Sequence, residues 1–115
     1  MAQTTTIILL PQTSGHDALV TGDKKPAASY YQGNKNLQTL TWDLTSFRGT
    51  IYVEATLADD PGSNDWVTVK VISNLGSPGL TERSFENIIG NFVWMRVRIL
   101  PFYTGSVIQY IKVSY

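Results

Sequence analysis

Hydrophobic and polar positions alternate along much of this chain. Between Gly49 and Ala58, Ile51, Val53, Ala55 and Leu57 fall on one side and Tyr52, Glu54 and Thr56 on the other. A period of two over this length predicts a half-buried strand. The pattern stops at Ala58-Asp59-Asp60-Pro61-Gly62-Ser63-Asn64-Asp65, where proline cannot donate to a ladder and Asp, Asn and Gly favour turns. Leu37 to Leu44 alternates with Gln38, Leu40, Trp42 and Leu44 on one face. Trp66 to Ile72 sets Val67, Val69 and Val71 against Trp66, Thr68, Lys70 and Ile72. Phe92 to Leu100 sets Val93, Met95, Val97 and Ile99 against Phe92, Trp94, Arg96, Arg98 and Leu100, and Pro101 is read as its end. A last strand runs from Val107 to Tyr115. The alternation makes Val53, Leu57, Val69, Val97 and Ile99 the expected core.

The remaining stretches are weaker. Thr4 to Leu10 is threonine-rich and then wholly apolar, since Ile7, Ile8, Leu9 and Leu10 leave no polar face. It reads as a strand between two layers, or as an edge strand or N-terminal arm (residues 1–10) that meets another subunit. Ala18 to Val20 reads as a short strand and Ala27 to Tyr31 as extended. Ser73 to Arg83, with Gly76, Pro78 and Gly79, reads as a loop. Ser84 to Gly90 is left as a short strand or an irregular connection. No stretch has a helical period with caps. About seven or eight strands at near-regular spacing predict a single all-β domain over residues 1–115, an antiparallel β-sandwich or jelly-roll-like fold.

Composition narrows the function. The chain has 115 residues and a formal net charge of zero, so no electrostatic grip on nucleic acid or an anionic membrane is expected. It has no cysteine, which removes disulfides and thiolate metal sites. No apolar run is long enough to span a bilayer. The opening Met-Ala-Gln-Thr-Thr-Thr lacks a cationic segment and Ile7 to Leu10 is too short for a signal core, so synthesis in a cytoplasm is expected.

Chemistry is sparse. His16 is the only histidine, and Ser14 and Asp17 beside it do not make a triad, whose members must converge from separate points on a fold. Asp59, Asp60 and Asp65 do not match an EF-hand loop and read as a self-capping turn. No catalytic residue, metal site or cofactor is therefore assigned. The aromatics stand out. Trp42 alternates with leucines and is read as core. Trp94 shares its face with Arg96 and Arg98, and Trp and Arg dominate protein–protein hot spots. Ile7, Ile8, Leu9, Leu10, Trp94, Arg96 and Arg98 are thus the interface candidates. Tyr30, Tyr31, Tyr52 and Trp66 are the candidates for stacking on a sugar.

Several segments carry a likeness: Tyr30-Tyr31, Leu37-Gln38-Thr39, the GTIYVEATL run from Gly49 with Pro61 and Asp65-Trp66 after it, Asn91-Phe92-Val93-Trp94-Met95-Arg96-Val97, and Gly105. From about residue 18 onward the chain resembles the β-domain of virion structural proteins of tailed bacteriophages, including cyanophages. The resemblance implies a structural, non-enzymatic protein, a capsid decoration or tail-associated accessory component, with no catalytic residues to carry over. It implies residence in the virion after synthesis in the host cytoplasm. Apart from the resemblance, the apolar run Ile7 to Leu10 and the outward Trp94, Arg96 and Arg98 leave surface beyond what one sandwich core can bury. A cyclic homo-oligomer, with a trimer among the options, and contacts to other virion proteins are therefore expected. The alternative is a carbohydrate-binding module that recognises host-surface glycans.

Overall fold

The computed structural model describes residues 5–15, 19–31, 33 and 35–115. His16 and Asp17 lie outside the described residues. The strands are β1 (Thr6–Leu10), β2 (Thr13–Ser14), β3 (Val20–Thr21), β4 (Lys25–Pro26), β5 (Leu37–Phe47), β6 (Gly49–Thr56), β7 (Val67–Asn74), β8 (Leu80–Ile89), β9 (Trp94–Phe102) and β10 (Val107–Ser114). There is no helix among the described residues.

Two antiparallel sheets pack face to face. Sheet A has the order β1-β10-β5-β8 and sheet B the order β3-β9-β6-β7. The two-residue β2 follows β1 along the same flank of β10, and β4 follows β3 along β9. Each pair acts as one interrupted strand, so among the described residues ten stretches make eight strands. Apart from the β6–β7 hairpin, the chain changes sheet between these strands. That interleaving is the jelly-roll arrangement.

The core lies between the sheets. Leu40, Leu44 and Phe47 of β5 face Ile51, Val53 and Ala55 of β6, with Met95, Val97, Ile99, Ile108, Ile111 and Val113 filling the layer. Trp42 and Gln38 join it, as their alternation predicts. The tightest corner joins β5 to β6 through one residue, Arg48. Gly49 takes φ +147° there, and a Cβ on it would lie 2.2 Å from the Pro101 carbonyl oxygen. Only glycine accepts both that backbone and that approach.

Several expectations are corrected. Leu57 is exposed, because β6 ends at Thr56 and the chain leaves the sandwich. Val69 is only half-buried. Lys70 pairs with Val53 and Thr68 with Glu54, so Val69 is an extra residue in a bulge. The bulge brings Lys70 to the inner side with Ile72, leaves Val69 packed only partly against the core, and turns Val71 outward. Ser73 to Arg83 is not one loop, since only residues 75–79 separate β7 from β8. Pro101 does not end its strand. Ile99 pairs with Ile51 and Phe102 with Gly49, so Pro101 sits in a bulge where its missing N–H is not needed. Residues 28–31 form a turn rather than an extended segment. Leu9 and Leu10 are core residues, Ile7 is half-buried and Ile8 is exposed. Core burial makes Leu9 and Leu10 unavailable as contacts in this fold.

The side of the sandwich where β7 and β8 end the sheets is closed by polar groups. Lys70 Nζ lies 3.1 Å from Glu86 Oε1, and Trp42 Nε1 donates to Glu82 Oε2 at 3.1 Å.

Candidate functional site

Strand alternation turns Trp94, Arg96 and Arg98 of β9 away from the core, because Met95, Val97 and Ile99 face it. On β6 the same rule turns out Tyr52, Glu54 and Thr56. The register sets Tyr52 opposite Arg98, Glu54 opposite Arg96 and Thr56 opposite Trp94. Directly opposed residues share a face, so these six side chains form one surface of sheet B.

Glu54 is its centre, a carboxylate only 7% exposed. Arg96 Nε donates to Glu54 Oε1 at 2.9 Å, and Arg98 Nε lies 3.4 Å from Oε2. Each guanidinium also covers a ring. Arg96 lies 4.2 Å from the centroid of Trp66, and Arg98 4.5 Å from that of Tyr52. Stacking and the shared carboxylate fix both arginines without consuming all their donors, since a guanidinium carries five N–H groups.

Trp94 continues the row. Lys24 Nζ lies 4.6 Å above its ring, and Tyr30 packs against it with centroids 4.7 Å apart. Its Nε1 donates to the Asp59 carbonyl oxygen at 3.0 Å, tying β9 to the β6–β7 connection. In that connection the Asp65 carboxylate accepts the Gly62 N–H at 2.7 Å, so it caps its own turn. Next to Thr56 opens an apolar recess of about 380 Å³, lined by Leu57, Val67 and Phe92 with Asp65 at its edge.

The structure therefore brings Trp94, Arg96 and Arg98 together with Tyr30, Tyr52 and Trp66. It does not bring Ile7, Ile8, Leu9 and Leu10 to this face. They belong to β1, at the far edge of sheet A, beside a cleft of about 390 Å³ shared with Thr21, Gly22 and Lys25. Tyr31 packs edge-on against Tyr30 at 4.7 Å and is well exposed. Tyr115 lies close to it and donates its hydroxyl to the Pro26 carbonyl at 3.0 Å. Burial first, and the nearby Tyr31 second, push the Tyr115 phenol above its ordinary pKa of 10.0.

Sequence reasoning missed Glu54, Lys24 and the recess. A lone carboxylate on an outward face was the available signal for Glu54, but pairing it requires the register. Among the described residues no group of three or more His, Cys, Asp or Glu is arranged to hold a metal ion. Comparison with protein-family models, curated proteins and solved structures finds no match for this chain.

Proposed function

We propose that this chain is a non-enzymatic structural component of a tailed-phage virion, a capsid decoration or tail-associated accessory protein. It works by protein–protein contact through the outer face of sheet B. One observation carries the choice of face. Trp94, Arg96 and Arg98 stand in file on a central strand, each held by a ring, a carboxylate or a backbone acceptor. These residue types supply most hot-spot energy, and groups already immobilised lose little entropy on binding. The zero net charge favours a protein partner over nucleic acid or an anionic membrane.

The same face collects Tyr52 and Trp66, which supports a glycan-binding module as the second reading. Each of those rings already carries a guanidinium over one side, which leaves less platform for a sugar.

Cosedimentation with purified virions tests the first reading. Wild type pellets with particles, and Trp94→Ala, checked for fold by circular dichroism, binds more weakly by about 2 kcal/mol, or roughly thirtyfold. A wild-type chain that never pellets, yet changes its tryptophan fluorescence with a sugar, overturns this reading in favour of the second.

A further inference from the structure

The sheets end at β1, β8, β3 and β7. Free strand edges invite pairing, and proteins blunt them with bulges, short strands or charges. Three of these edges are blunted. β1 is bulged between Ile8 and Leu10, and β7 carries the Val69 bulge. β3 is two residues long, with a gap before β4. β8 differs. Its ladder with β5 runs without interruption from Ile89 to Glu82. Its charges are occupied within the chain: Glu86 by Lys70, Glu82 by the Trp42 indole, and Arg83 by Asp43 at 3.3 Å. Its outward face shows Phe85 at 67% and Ile89 at 74% exposure. No strand among the described residues covers this edge.

We infer that β8 pairs with β8 of a second copy of this chain, antiparallel and about a two-fold axis at Phe85, joining two A sheets into one. The inference uses the sheet opposite the proposed contact face and stands without any assignment to a virion.

Geometry selects the register. The Gly90 N–H donates to the Asn36 carbonyl at 2.8 Å, one step beyond the Leu37–Ile89 pair. Antiparallel pairs alternate between bonded and non-bonded, so even-numbered residues of β8 bond to β5. Thr81, Arg83, Phe85, Asn87 and Ile89 then aim their N–H and C=O groups at the free edge. Opposed residues must share a face, so outward residues meet outward ones. An axis at Phe85 sets Phe85 against its own copy, Arg83 against Asn87 and Thr81 against Ile89. On the inner side it sets Glu86 against Ser84 and Glu82 against Ile88. An axis at Ser84 would oppose Glu82 to Glu86, and an axis at Glu86 would oppose Glu86 to itself. Like charges directly opposite are unfavourable. The Phe85 axis avoids them over the full strand and stacks two exposed rings.

The absence of native cysteine makes the register directly readable. Bonded antiparallel pairs hold their Cα atoms about 5.5 Å apart, inside the range of roughly 4.4–6.8 Å that a disulfide spans. Wild type should sediment as a dimer. Phe85→Cys should cross-link to itself under mild oxidant. Arg83→Cys and Asn87→Cys should cross-link in a mixture but not singly, and Ile8→Cys on the bulged β1 edge should stay uncross-linked. Phe85→Asp should keep its circular dichroism and sediment as a monomer. A wild-type monomer at high concentration, a trimeric mass, a Phe85→Asp dimer, or self-cross-linking of Arg83→Cys would each overturn the inference.

Discussion

The most informative single change on the outer face of sheet B is Glu54→Gln. It keeps the volume and removes the charge that two arginines share. The neutral amide can still accept from one guanidinium, but its NH2 group then faces the other, which offers only donors and no acceptor. Arg96 and Arg98 are left close together with no counter-charge. A hydrogen bond between charged groups nets about 1.5–3 kcal/mol, and two are affected. The arginine side chains are 24% and 33% exposed, so solvent screens part of the loss. A net cost of about 2 kcal/mol follows. For a domain of this size one kcal/mol moves Tm by roughly 3–6 °C, so the expected fall is roughly 6–12 °C. Thermal melts followed by circular dichroism measure it. Salt should narrow the gap between wild type and variant, because it screens the arginine–arginine repulsion. A double-mutant cycle with Arg96→Met isolates the pair and should return a coupling of about 1 kcal/mol. A Glu54→Gln chain melting within about 2 °C of wild type at low salt, against the shift expected from its hydrogen bonds, would refute the clamp.

Two further changes test other parts of the fold. Gly49→Ala should lower stability by at least about 2 kcal/mol, since it strains a positive-φ backbone and drives a Cβ to 2.2 Å from the Pro101 oxygen. Gly76→Ala, whose Cβ meets nothing within 4 Å, is the control, and equal urea midpoints for the two would disprove the corner argument. Tyr115 gives a pH dependence. Its folded pKa is raised above 10.0, so the folded state holds the phenolic proton more tightly than the unfolded chain. That contribution is complete below 10.0 and is lost as pH climbs through the higher folded value. Tyr115→Phe should melt lower than wild type at pH 8, for want of the bond to Pro26, and fall less steeply above pH 10, whereas parallel curves would contradict the shift.

Where the sequence was legible, and where it was not, follows from one physical difference between central and edge strands. β5, β6 and β9 have neighbours on both sides and a full apolar layer beneath them. Their period of two therefore maps directly onto burial, and Leu40, Val53, Val97 and Ile99 lie where alternation puts them. β7 and β8 cover the rim of the core. Their inner positions include Lys70, Glu82, Ser84 and Glu86, which close the open side with an ion pair and an indole hydrogen bond. Reading polar as outside misplaces Lys70 and Val71, whose strand is shifted by the Val69 bulge, while the glycines and proline of residues 76–79 made the start of β8 read as loop. The candidate face was half-legible for the same reason. Alternation alone shows that Trp94, Arg96 and Arg98 point away from Val97. That Glu54 lies under them depends on which residues of β6 and β9 are opposed, and the bulge around Pro101 sets that register. The exposed Phe85 and Ile89 of β8 carry the point furthest. Hydrophobicity assigns Phe85 and Ile89 to a core, yet the Glu82 and Glu86 contacts beneath them hold the strand in the opposite sense. A strand whose acids face inward and whose Phe85 faces outward has its polar needs met within the chain and its apolar side chains left exposed.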